Sequence, residues 1–269
     1  MVMTALRQFF ATPIKTAWAD VAASAEYAPF IKQMAWREMR ARYSFSKLGV
    51  LWVVLSFAVL IAIKLLIFNN FEGGAYVPHL ILGFVTFTFI SIIISAGVSV
   101  FVSNRQWILS STAPYSVYVF VFVIRAFLEM CLIGVTAVLM LVPLSMLNLT
   151  AVWAVVPALV LYLLTAFAFC LMFGAMSVRY RDLIHTSASI ARILFFATPI
   201  LWFPVEGTLR YQLAKWNPVS YYIDLVRVPL MDGVVPLTSW YFCASASLGL
   251  LLLALLVFGK VKPNLALGV

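Results

Sequence analysis

Six runs of mostly apolar residues constrain this chain more than any other feature, because about 20 such residues are what a helix needs to cross a bilayer. They cover residues 50–68, 79–102, 115–144, 151–178, 183–203 and 237–258. Of the 269 residues, 65% are hydrophobic and only 10% charged, with a mean hydropathy of +1.07. A soluble fold of this size leaves roughly a quarter of its unfolded surface exposed and could not hide so much apolar area. The sequence therefore predicts an all-α integral membrane protein with six transmembrane helices. The third and fourth runs are long enough to tilt or to project beyond the bilayer.

Orientation follows from Lys and Arg, which collect in cytoplasmic connections. Alternate connections sum to twelve basic residues on one side and three on the other, so both termini are expected in the cytoplasm. The chain divides into a cytoplasmic segment, 1–49, and a transmembrane domain, 50–262. No signal peptide is expected, since the first apolar run starts near residue 50 and is too long for one. Residues 27–47 read as an amphipathic helix lying in the membrane interface. Ile31, Met34, Ala35 and Met39 share one face, Gln33, Arg37 and Arg40 lie opposite, and Glu38 and Arg42 form an i,i+4 pair. The 204–236 connection carries Pro204, Pro218, Pro229 and Pro236 yet is apolar over 219–231. It reads as two re-entrant half-helices, with an exposed loop as the alternative.

Sites of chemistry are few. The chain has no GxxxxGK[ST], GxSxG or HExxH pattern. Cys131, Cys170 and Cys243 lie inside apolar runs without metal-ligand spacing, and His79 and His185 sit in different segments, so no metal is expected. Ionisable groups inside spans are costly and are usually paired or functional. Lys64, Arg125, Glu129 and Arg192 are such groups. Arg125 and Glu129 stand one turn apart as an intramembrane ion pair, with a structural and a transport role both open. Ser91, Ser95, Ser99 and Ser103 recur every four residues, either as a close-packing face or as the polar wall of a conduit. Phe84, Phe87, Phe195 and Phe196 offer flat faces to lipid, to the core or to sugar rings.

Several motifs stand in a suggestive order: Arg42-Tyr43-x4-Leu48-Gly49-x2-Trp52, then Asn104, Ile108 and Pro114, then Val178-Arg179-Tyr180-Arg181-Asp182-Leu183. Phe195-Phe196-x-Thr198-Pro199-Ile200 follows, and Asn217-Pro218-x3-Tyr222-Ile223-x2-Val226-Arg227-x-Pro229-Leu230 closes the set. Over residues 30 to 262 the chain resembles ABC-2 type permeases that export O-antigen, capsular polysaccharide and teichoic acid. The resemblance implies a permease homodimer in the bacterial inner membrane, working with two copies of a separate ABC ATPase that binds ATP and Mg. Its cargo would be an undecaprenyl-pyrophosphate-linked polysaccharide, with no nucleic acid and no cofactor in this chain. It further implies ATPase contacts at Arg37, Arg40, Asn104, Arg105, Gln106, Trp107, Arg179, Arg181 and Asp182. Channel or substrate contacts would be Phe84, Phe87, Ser91, Ser95, Ser99, Phe195 and Phe196. The rival readings are a membrane-embedded transferase acting on lipid-linked sugar and a non-catalytic subunit of another membrane complex.

Overall fold

A computed structural model describes the backbone of residues 2–42, 51–68 and 75–269, with side chains over 12–42, 51–64, 66 and 75–269. The expected start of the first span at residue 50 and most of the 69–78 connection lie outside the described residues. Those described are helical and form no strand. Four helices are long and apolar enough to cross a membrane: Tyr76–Ser110, Ser116–Leu144, Val152–Arg179 and Leu237–Gly268. These answer to the second, third, fourth and sixth expected spans.

In chain order, α1 (Val2–Ala23) and α2 (Ala28–Arg42) precede α3 (Leu51–Phe68) and α4 (Tyr76–Ala96). Two short helices follow, α5 (Val100–Ser103) and α6 (Arg105–Ser110), then α7 (Ser116–Leu141), α8 (Val155–Arg179) and α9 (Asp182–Ala197). The last four are α10 (Leu209–Trp216), α11 (Pro218–Met231), α12 (Leu237–Val261) and α13 (Leu265–Gly268). α8 lies against α12, α4 against α7, α9 and α11, and the core between them is built from Phe89, Phe101, Leu141, Leu171 and Phe258.

α3 runs over Leu51–Phe68 and ends where the first span was expected to end. The fifth expected span comes out shorter than the apolar run that predicted it. α9 stops at Ala197 rather than 203, where Thr198, before Pro199, turns extended (φ −96°, ψ 140°), the conformation that a following proline favours. With 16 residues, α9 is about 24 Å long, less than the roughly 30 Å of a hydrocarbon core.

α1 and α2 form a hairpin around one end of the bundle. α1 runs parallel to the end of α12: a side chain at Gly259 would strike the backbone carbonyl of Pro13, and Lys262 Nζ lies 3.5 Å from the carbonyl of Thr16. α2 then runs parallel to the start of α7. Ile31 and Ala35 pack on Val117 and Val121, and Glu38 and Arg42 reach Arg125 and Glu129. The apolar face expected to lie on the membrane interface packs in part on α7.

Candidate functional site

The sequence supplies a concave site on one face of the bundle. α3, α4 and α9 enclose a groove of about 420 Å³ lined by Leu60, Lys64, Phe84, Phe87, Thr88, Ser91, Ile92, Ala191, Arg192, Phe195 and Phe196. Phe84 meets Phe195 edge-on with centroids 5.8 Å apart, Phe87 meets Phe195 at 5.4 Å, and Phe196 meets Phe195 at 5.2 Å. Lys64 Nζ lies 5.5 and 5.4 Å from the ring centroids of Phe84 and Phe195, within cation–π range. Arg192 stays exposed, with Nε on the Ala188 carbonyl and Nη2 on Ser189 Oγ of its own helix.

Five of the seven expected channel residues share this groove; Ser95 and Ser99 do not line it. Their four-residue spacing presumes a continuous helix, but the α-helix ends at Ala96 and a 3-10 turn spans Gly97–Ser99. A Cβ on Gly97 would sit 2.5 Å from Cys170 Sγ, so α4 presses on α8 where it breaks. Both hydroxyls turn on backbone of their own segment: Ser95 Oγ donates to the Ser91 carbonyl and Ser99 Oγ to the Ala96 carbonyl. Thr88, which sequence reading passed over, is on the groove one turn from Phe84 and could have been found from that spacing.

The intramembrane pair is a four-member cluster. Arg125 Nη1 is 3.8 Å from Glu129 Oε2, while Arg125 Nε is 3.4 Å from Glu38 and Arg42 Nη1 is 3.3 Å from Glu129. The Arg125–Glu129 pair is kept, and Glu38 and Arg42, read as a local pair, each reach across to it from α2. Burial pushes the Glu38 carboxyl above its ordinary range, opposed by the guanidiniums of Arg125 and Arg42. Arg125 also lies over the Phe122 ring at 5.0 Å.

At the end where α1 meets α7, Asp20 caps a helix that is not its own. Its carboxylate accepts from the Ser116 amide at 2.9 Å and the Ser116 hydroxyl at 2.5 Å, and pairs with Lys262 at 3.0 Å. An anion there meets the positive end of the α7 dipole. The expected ATPase-contact residues fall on exposed surfaces. Arg37 and Arg40 lie on the side of α2 away from α7, and Arg105, Gln106 and Trp107 are on α6, anchored by buried Ile108. Asn104 is half-buried and donates to the Val100 carbonyl. Arg179, Arg181 and Asp182 form the exposed turn before α9, and Arg181 Nη2 donates to the Gly268 carbonyl at 2.9 Å. α13 touches both α6 and α8, so the two connections are tied through it.

Residues 29–231 match the model of the ABC-2 type transporter family. The chain belongs to that family. It is a multi-pass membrane component of an ABC transporter, and an ABC ATPase partner comes with membership. No curated protein sequence matches the chain.

Within the matched region, residues around Thr198-Pro199, Asn217 and Arg227 meet one another. Asn217 caps α11 by accepting from the Val219 amide, and its amide nitrogen donates to Thr198 Oγ1 at 2.7 Å. Arg227 is buried and donates to the Pro199 carbonyl at 2.7 Å and to Asp224 Oδ1 at 2.7 Å, with His79 Nε2 at 3.2 Å. The break after α9, the start of α4 and the short α11 are therefore stitched by two side chains.

Proposed function

We propose that the chain is the permease subunit of an ABC exporter that moves a lipid-linked polysaccharide from cytoplasm to periplasm, with an O-antigen-like cargo on an undecaprenyl-pyrophosphate anchor. Two copies form the path, and two ATPase subunits on separate chains bind ATP and Mg. α3 and α9 join the four longer helices to make six passes through the inner membrane, with both termini cytoplasmic and α10 and α11 re-entering the outer leaflet. The exposed surfaces of α2 and α6 and the turn before α9 receive the ATPase.

One observation carries this reading: the groove between α3, α4 and α9 sets four phenylalanine rings beside the hydroxyls of Thr88 and Ser91. Flat apolar faces with interspersed hydroxyls suit sugar rings, which are apolar on their faces and polar at their edges. The groove lies on the outside of a single chain, as a path shared between two copies requires. Co-purification with the partner ATPase, followed by reconstitution in lipid, tests the proposal. Lipid-linked glycan should stimulate ATP hydrolysis and appear on the far side of the vesicle. A stable complex that hydrolyses ATP but neither responds to nor moves the glycan would contradict it.

A further inference from the structure

Among the described residues the groove holds two cations with no carboxylate beside them. Lys64 and Arg192 both line it, and none of its described lining residues is acidic. Among the described residues neither cation is in an ion pair. Lys64 rests on the Phe84 and Phe195 rings, and Arg192 bonds only to its own helix. Positive charge in a membrane-spanning region is expensive without a partner, and a cation–π contact or a bond to a local carbonyl is weaker compensation than an ion pair. Ser91 Oγ also has no hydrogen-bond partner among the described residues, so its hydroxyl is free to donate.

We propose that Lys64 and Arg192 form an anion seat in this groove that takes the phosphate or diphosphate of an amphiphile. The inference rests on the exporter reading above and names the group by which the cargo is held. Two cations on separate helices, one a point charge and one a planar fork, suit a multivalent oxyanion. The phenylalanines and Leu60 receive the apolar chain beside it, and a cavity of about 420 Å³ falls in the range of small-ligand sites. A phosphate approaching from the groove would draw Lys64 off the two rings, so binding and the aromatic wall are coupled.

The test uses the full chain with its ATPase in non-ionic detergent, which brings no phosphate of its own. Binding is read as the ligand-induced rise in melting temperature for four probes: undecaprenyl diphosphate, undecaprenol, inorganic pyrophosphate and phosphatidylglycerol. Undecaprenyl diphosphate should bind far better than undecaprenol. Lys64→Met and Arg192→Gln should each weaken it about tenfold, which is the scale of one charge-assisted contact, while Lys64→Arg should retain it. Undiminished binding to a stable double variant overturns the seat. Phosphatidylglycerol binding as tightly, with the same sensitivity to both substitutions, upholds the seat but makes its occupant a membrane lipid. Glycan export measured in parallel separates the two proposals. Wild-type export with mutation-insensitive binding removes the seat alone, and mutation-sensitive binding without any export removes the exporter reading alone.

Discussion

Arg42, at the end of α2, lies 3.3 Å from Glu129 on α7, within a span. With Glu38 and Arg125 one turn earlier on the same two helices, this makes a ladder of alternating charge. The ladder explains how the side chains of Arg125 and Glu129, only 8% and 10% exposed, stand inside a membrane protein. It also ties the segment before the first span to the third span.

Removing one rung takes an ion-pair partner from two charges at once. Arg125→Ala removes the partner of Glu38 and leaves Glu129 to Arg42, while Glu129→Ala removes the partner of Arg42 and leaves Arg125 to Glu38. Each should cost about 1–3 kcal/mol. Arg125→Leu combined with Glu129→Leu leaves Glu38 and Arg42 free to pair with each other on α2 and should recover most of the loss. Melting temperatures of the three variants decide it; a double variant no better than the singles contradicts the ladder.

Glu38 gives the ladder a pH signature. Its carboxyl is raised from the ordinary 4.5 by burial, so the folded state holds that proton more tightly than the unfolded chain. Its contribution to stability is therefore full below the ordinary range and is lost as pH rises through the raised value. Glu38→Gln should remove that part of the decline, visible as a flatter plot of melting temperature against pH above 4.5. An unchanged slope would show that Glu38 titrates normally.

The long spans were legible because an apolar run needs no tertiary context to be recognised. The end of the fifth was misjudged for the opposite reason. Residues 200–203 are apolar, and hydropathy carried the span past the Thr198-Pro199 step, where the proline disfavours helix in the residue before it. The α2 face of Ile31, Ala35 and Met39 was readable from spacing, but its partner was not, since lipid and α7 ask for the same side chains. The ion pairs that Glu38 and Arg42 make to the parallel α7 leave no local signal at all. In the groove the phenylalanines and Ser91 followed from periodicity, whereas Ser99 falls in the 3-10 turn over Gly97–Ser99, and Ser95, still on α4, does not line the groove.

Arg227 should resist conservative replacement. Its fork reaches the Pro199 carbonyl and Asp224 with separate nitrogens, whereas the shorter reach of a lysine would have to serve both from one nitrogen. Arg227→Lys and Arg227→Leu should both destabilise the protein, by about 1–3 kcal/mol for the polar groups left unsatisfied. Equal melting temperatures for wild type and the lysine variant would contradict this.

The α1–α2 hairpin should come loose when its pins are removed. Asp20→Ala deletes the cap of α7 and the partner of Lys262, and Gly259→Ala sets a methyl group against the Pro13 backbone. Both variants should expose residues 1–27 to protease while the spans stay intact. Wild-type cleavage rates in both would show that the hairpin is held elsewhere.

The central claim is that the groove between α3, α4 and α9 is the path of a lipid-linked glycan. Its most direct test is glycan transport into proteoliposomes holding the permease and its ATPase, comparing wild type with Phe87→Ala combined with Phe195→Ala. The account predicts that the variant assembles and hydrolyses ATP but loses most of its transport. Transport at the wild-type rate in that variant would contradict it.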